Sequence, residues 1–280
     1  VEHLPDLNGL FHAAGIDETY LQSLMIKYAN EIFNENKKFN LTGHKNLLDI
    51  IENLFVKSLI PVKNLDVPRG TLFADIGTGA GIPGIPIAIK YGEAKGALFD
   101  SNHKKVNFIN RTAAHLGINN VRAAACRVED LCREPNFRES FDMVFSRAMS
   151  DLYTVSELGA PLLKVGGLLF LYSNEIIEKQ SVGKKEKSGS KIIGTKSEAD
   201  DKEDKENRDV KNENEDKKEP GDYMLEHIDR LGLSVENMPS VGDAAFGVPL
   251  SAESNSAMLI FRKIKVTDAK YPRRISAIRR

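Results

Sequence analysis

A chain of 280 residues holds one large domain or two small ones, and its apolar fraction of 41% supplies a sizeable core. Its net charge of −1 gives no overall pull toward nucleic acid, so any such role rests on where the charges cluster. Cys126 and Cys132 lack CxxC spacing and no second pair exists, which argues against zinc and for thiols in a reducing compartment. No apolar run is long enough to span a bilayer. Val1-Glu2-His3-Leu4-Pro5 shows no basic segment followed by an apolar one, so the expectation is a cytoplasmic protein without signal peptide or membrane contact.

From Thr19 to Asn36, Tyr20, Leu21, Leu24, Met25, Tyr28, Ile32 and Phe33 fall at helical spacing with one apolar face. A second amphipathic segment covers Leu47, Leu48, Ile50, Ile51, Leu54, Phe55 and Leu59, and Pro61 stops it. The basic stretch Asn36 to His44 between them, with Phe39 as its aromatic, reads as a loop. Thr71-Leu72-Phe73-Ala74 is a buried-strand run that ends in Asp75-Ile76-Gly77-Thr78-Gly79-Ala80-Gly81-Ile82-Pro83-Gly84. Ile85, Ile87, Ala88 and Ile89 then form the inner face of a helix, with Pro83 or Pro86 in its first turn.

After that unit, strand and helix alternate. Gly96 to Phe99 is a strand ending at Asp100, and a helix carrying Val106, Phe108, Ile109 and Ala113 stops at Gly117. Val121 to Ala125 and Phe141 to Ser146 are strands, Leu152 to Leu163 is a helix ended by Gly166-Gly167, and Leu168 to Tyr172 is a strand. Such alternation predicts an α/β fold with a parallel sheet covered on both faces. Ligands on such sheets sit at the carboxyl ends of the strands, where Asp75, Asp100, Glu129 and Arg147 fall. From Ser181 to Asp222 there are eleven basic and thirteen acidic side chains with almost nothing apolar, so Gln180 to Asp222 reads as a disordered insertion. Met224, Leu225, Ile228 and Leu231 mark a further helix, and Leu233 to Val241 and Ala257 to Ile264 two late strands. The tail carries Lys265, Lys270, Arg273, Arg274, Arg279 and Arg280 against Asp268 alone, a basic end that contacts phosphates or is simply solvated.

The glycine turn brings bare backbone and a helix N-terminus to one point, which suits a ligand whose polar atoms approach the main chain. Two patterns overlap in it. Gly79, Gly81 and Gly84 spell the dinucleotide pattern GxGxxG, whereas Gly77, Gly79 and Gly81 after Asp75 spell GxGxG and resemble the loop of the S-adenosylmethionine methyltransferases. Asp75 and Gly77 stand between the strand and the first dinucleotide glycine, which favours the second reading. Asp100, 21 positions after Gly79, suits ribose hydroxyls under either. Val128 and Glu129 can flank an adenine, and Arg147 can hold a carboxylate.

Asn40-Leu41-Thr42, the glycine turn with its Ile82-Pro83-Gly84-Ile85-Pro86 extension, Phe99-Asp100-Ser101, Arg127-Val128-Glu129-Asp130, Ser146-Arg147-Ala148 and Lys270-Tyr271-Pro272-Arg273-Arg274 together resemble the bacterial 16S rRNA guanine-N7 methyltransferases, also called glucose-inhibited division protein B. The resemblance spans most of the chain outside the charged insertion. It implies a doubly wound, mostly parallel seven-stranded Rossmann-like sheet (residues 66–280, with the insertion at about 180–222) under a helical cap (residues 1–65). It further implies S-adenosylmethionine as cofactor, N7 of a guanine in 16S rRNA or the 30S subunit as target, and a monomer. Gly77, Ile82, Val128, Glu129 and Arg147 match the family's cofactor-contacting positions and Asp100 its ribose-binding acid. Asp75 and Gly79 complete the expected set, with no catalytic base and no metal. The chain departs from the family at Leu54 and Lys57 in the cap, where the family carries a His and the Asp of an Asp-Ser pair, and at Tyr172-Ser173-Asn174 after the fifth central strand. In the family those positions face the substrate. The competing readings are a cofactor-binding RNA-interaction protein with weakened turnover, and a small-molecule methyltransferase or NAD(P)-dependent enzyme.

Overall fold

The computed structural model describes residues 7–173, 220–236, 248–249 and 257–278. Its first layer is helical. α1 (Leu7–Ala13), which no clear periodicity announces, buries Phe11. α2 (Thr19–Glu35) buries Met25, Tyr28, Ala29 and Ile32, spaced three to four apart on one face. α3 (Leu47–Asp49) starts at Asn46, whose side chain accepts the Asp49 N–H. It runs into a π-helical stretch, Ile50–Val56, then α4 (Lys57–Leu59) and a 3₁₀ turn, Ile60–Val62, that takes Pro61 in its first turn.

The second layer is the sheet and its helices. In chain order they are β1 (Leu72–Ile76), α5 (Gly84–Lys90), β2 (Lys95–Asp100), α6 (His103–Leu116), β3 (Val121–Ala125), α7 (Val128–Leu131), β4 (Phe141–Arg147), α8 (Leu152–Gly159), β5 (Leu163–Ser173), α9 (Pro220–Arg230), β6 (Leu233–Val235), β7 (Val248–Pro249), β8 (Ala257–Lys263) and α10 (Ile275–Ile278). The strands lie in the order β3-β2-β1-β4-β5-β8-β6, with the two-residue β7 paired to β8. β1 to β5 run parallel, and β8 is antiparallel to both β5 and β6. This is the doubly wound, mostly parallel α/β fold that the strand–helix alternation predicts. The chain moves outward from β1 to β3 and then crosses back to β4, so the strand order reverses between β1 and β4. The carboxyl ends of the strands open into a crevice at that point.

Two clusters of buried side chains fill the faces. One lies between sheet and cap and joins Phe11, Tyr28 and Phe55 to Phe73, Ile85, Phe108 and Phe145. The other, on the opposite face, joins Val144 and Leu171 to Leu158 of α8 and Ile228 of α9. The cap therefore shares one core with the sheet across residues 65 and 66. Two boundaries differ from the sequence reading. Gly166-Gly167 does not end a helix: α8 gives way to a 3₁₀ turn at Ala160–Leu162, and both glycines lie inside β5, beside a register shift between Phe141 and Met143. The late strand expected over Leu233 to Val241 is described as far as Val235, and residues 237–247 lie outside the described residues. The charged insertion also lies outside them, except that α9 already begins at Pro220.

Candidate functional site

The glycine turn joins β1 to α5 and is held from three directions. From inside, the wholly buried Asp75 carboxylate accepts the Thr78 hydroxyl at 2.6 Å and the Gly84 N–H at 2.8 Å through Oδ2. Its Oδ1 has no partner, and burial pushes its pKa up to about 7 against those two bonds. From the side, the Gly77 and Thr78 N–H groups donate to the Phe99 carbonyl at 2.9 and 3.0 Å, and the Gly79 N–H to Asp100 Oδ2 at 2.9 Å. Asp100 Oδ1 accepts the Asn102 N–H at 2.8 Å, which fixes the carboxylate plane. From above, the Tyr28 hydroxyl on α2 donates to the Ala80 carbonyl at 3.0 Å. A Cβ on Gly81 would stand 2.7 Å from that hydroxyl, and Gly81 has φ +85°, so a side chain there is barred twice. The sequence shows Tyr28 only as one residue of an apolar helix face.

Beside the turn lies a cavity of about 340 Å³ lined by Gly77, Asp100, Val128, Glu129, Met149 and Thr154, among others. Four of the eight expected site residues thus meet on one cavity: Gly77, Asp100, Val128 and Glu129. Gly79 stands behind Asp100 as its hydrogen-bond donor, Asp75 lies beneath the turn, and Ile82 is buried in the cluster below the cap. Among the residues missed is Met149. It follows Ala148, a non-glycine residue at φ +52°, and a Cβ on Gly77 would lie 2.5 Å from its Cγ. Its thioether therefore covers the bare backbone of Gly77. No composition signal marks an alanine for a left-handed turn.

Arg147, at the end of β4, is not on this cavity. Its guanidinium reaches into the cap instead, donating to the Asn53 carbonyl at 2.6 Å, Ser58 Oγ at 2.7 Å and the Leu54 carbonyl at 3.3 Å. Burial lowers the Arg147 pKa. Tyr172 completes the seam, its hydroxyl donating to the Ser58 carbonyl at 2.6 Å and its ring centroid 5.6 Å from the guanidinium. Leu54 and Tyr172, two of the positions where the chain departs from the family resemblance, thus meet Arg147 and Ser58 at one contact. Phe39 is part-buried against the cap core. In the tail, Arg273 is held by the buried Glu157, with its N–H at 2.6 Å from Oε1 and Nη2 at 2.7 Å from Oε2. That overturns its reading as a free phosphate contact. Among the described residues, no helix is long and apolar enough to cross a membrane.

Residues 21–206 match the family described as GidB, rRNA small subunit methyltransferase G. The chain is 42% identical over 146 residues to ribosomal RNA small subunit methyltransferase G of Fervidobacterium nodosum, covering 52% of this chain and 66% of that protein. It is 37% identical over 155 residues to the protein of the same name from Clostridium botulinum (strain Alaska E43 / Type E3), covering 55% and 65%. Both alignments span just under two thirds of the relative's length. A longer alignment, with ribosomal RNA small subunit methyltransferase G of Mycoplasma capricolum, shows 30% identity over 251 residues, 90% of this chain and 87% of that protein. The family match covers more than half of the chain and the fold is the doubly wound sheet described above, so this chain belongs to the rRNA small subunit methyltransferase G (GidB) family.

Proposed function

We propose that this chain is a cytoplasmic, monomeric S-adenosylmethionine-dependent methyltransferase that acts on N7 of a guanine in 16S rRNA. The observation that carries the reading is the pairing of Asp100 with the Gly79 N–H at the mouth of a cavity walled by Val128 and Glu129. The names of the relatives support the rRNA substrate.

The residues present fit the cofactor. The cavity is of the size that small ligands fill, two carboxylates line it as acceptors for hydroxyl and amino hydrogens, and Gly77 offers backbone without a side chain. Asp100 would accept from the ribose hydroxyls, Val128 and Glu129 would flank the adenine, and the turn from Gly77 to Gly79 would face the amino-acid end. When bound, S-adenosylmethionine supplies an activated sulfonium methyl group. Asp75, Tyr28 and Asp100 hold the turn in place before any ligand arrives, so little ordering is left to binding. Met149 is the movable part, because its flexible thioether can swing off Gly77. Guanine N7 carries a free lone pair, so no side chain has to remove a proton before attack. The protein's task is then alignment.

The test is transfer of tritium from labelled S-adenosylmethionine to 30S particles lacking the modification. Incorporation at a single guanine N7 is expected. Folded protein that binds the cofactor and gives no incorporation would overturn the reading. It would favour instead a cofactor-binding RNA-interaction protein with weakened turnover. That alternative is motivated by the Arg147, Ser58 and Tyr172 seam, which closes the cap onto the strand ends where the chain departs from the family.

A further inference from the structure

A second cavity, of about 440 Å³, shares no lining residue with the first and is lined by Arg133, Arg138, Lys270, Tyr271, Arg273 and Arg274, among others. Five of these six side chains are cationic, in a chain whose net charge is −1. They divide into two groups. Arg138 and Arg273 are structural: Arg138 donates to the Thr267, Asp268 and Tyr271 carbonyls at 2.7 to 3.0 Å, and Arg273 grips Glu157. Together they fold the tail against α8. Arg138 donates only to carbonyl oxygens, and the carboxylate that feels its charge is the exposed Asp268.

The remaining three cations are exposed at the mouth. The Arg133 side chain is 52% exposed, held loosely by the Glu129 carbonyl and by Asp130 at 3.9 Å. Lys270 is 63% exposed; its ammonium lies 3.4 Å from Asp268 of its own turn and 5.2 Å from the centroid of the Tyr271 ring. Arg274 is exposed, and its side chain has no hydrogen-bond or ion-pair partner among the described residues. The Tyr271 hydroxyl also donates to no acceptor among them. A mouth with a free guanidinium fork, an ammonium paired with a surface carboxylate and a free hydroxyl, beside the partly paired Arg138 and Arg273, suits a phosphate oxygen cluster.

The two cavities share no lining residue but neighbour the same two helices. On and beside α7, Val128 and Glu129 line the first cavity, and Cys132 and Arg133 the second. On α8, Leu158 lines the first, and Glu157 holds the Arg273 that lines the second. A small metabolite held by the lining of the first cavity contacts none of the lining of the second, whereas a polyanion on the protein surface can contact both. We propose that the second cavity is a backbone-phosphate subsite for RNA, which anchors the nucleic acid away from the base being modified. This rests on the rRNA reading above.

The test compares the parent chain with a Lys270→Ala/Arg274→Ala variant, both side chains being exposed and free of any hydrogen bond or ion pair to a buried residue among those described. Affinity for fluorescently labelled naked 16S rRNA is measured between about 50 and 200 mM salt, where phosphate contacts dominate. Affinity is expected to fall roughly tenfold at the lowest salt, and the slope of log affinity against log salt to flatten by about 1.4 to 1.8, the loss of two phosphate contacts. Cofactor affinity by calorimetry stays at the parent value. Parental RNA affinity and slope in the variant would overturn the subsite, as would weaker binding with an unchanged slope. Tritium transfer by the parent, run alongside, separates the two readings. Transfer with no effect of the variant on RNA binding removes the subsite alone, and no transfer with a flattened slope removes the methyltransferase reading alone. Should the double variant melt early, Arg274→Ala by itself is expected to give about half the slope change.

Discussion

Arg273→Ala tests whether the tail is part of the fold. Glu157 is wholly buried in α8, and its carboxylate receives four hydrogen bonds of 2.6 to 3.1 Å from Arg273: one from the main-chain N–H and three from the guanidinium. Truncation removes those three and leaves a charge in the core with a single donor. Breaking a buried ion pair by deleting one partner costs about 3 to 5 kcal/mol. Two features put this case at the lower end: the main-chain donor survives, and the Arg273 side chain is 40% exposed, so water replaces part of what it gave. The expected loss is therefore about 3 kcal/mol, read by urea unfolding at neutral pH. Arg273→Ala combined with Glu157→Gln removes the stranded charge and should recover more than half of that loss. The same substitution lowers RNA affinity only as far as it unfolds the tail. An Arg273→Ala variant within about 1 kcal/mol of the parent, or a double variant no more stable than the single, would refute the assignment.

Tyr28→Phe deletes the only side-chain donor to the Ala80 carbonyl among the described residues and should cost about 1 to 3 kcal/mol while weakening cofactor binding; parental melting and parental affinity in calorimetry would contradict it. Gly79→Val places a branched side chain at φ +59°, where its Cβ meets nothing closer than the Gly77 carbonyl at 4.0 Å. The fold should survive at a cost of about 1 to 2 kcal/mol while cofactor binding is lost, and unchanged cofactor affinity would remove the turn from the site. Asp75 supplies a pH signature in the ligand-free protein. Its folded pKa of about 7 lies above the ordinary carboxylate value, so between the two the folded state binds the extra proton. Stability therefore falls as pH rises from about 4 to 7 and levels off above, by at most about 4 kcal/mol. Asp75→Asn should flatten this profile in urea unfolding at pH 5 and pH 8, and matching slopes in parent and variant would show that another group titrates.

Much of the fold is legible because parallel strands buried on both faces are plain apolar runs and the turn between β1 and α5 is marked by three glycines. Gly77, Asp100, Val128 and Glu129 are legible for the same reason: each ends a strand or follows one, and ends of neighbouring parallel strands meet. Arg147 also ends a strand, yet its partners Asn53 and Ser58 lie about ninety residues earlier, on a face of the cap that periodicity does not orient. Gly166-Gly167 reads as a helix stop because composition does not distinguish a stop from an irregularity within a long strand. Arg273 reads as one more charge in a basic tail, since Glu157 sits among apolar residues of α8 and nothing local ties the two together.

The three-way hold on the glycine turn bears on how the site opens. The amides of Gly77, Thr78, Gly79, Gly81, Ile82 and Gly84 all donate within the protein, to β2, to Asp100, to the turn itself or to Asp75. The carbonyl of Ala80 is held by a helix whose other residues form the main core. A loop wired in this way cannot fray by itself. In hydrogen exchange, these amides should share one slow opening free energy with α2 and β1, close to that of global unfolding, whereas ordinary surface loops exchange quickly. The ligand then meets a finished cradle, and the motion that admits it is confined to side chains such as Met149.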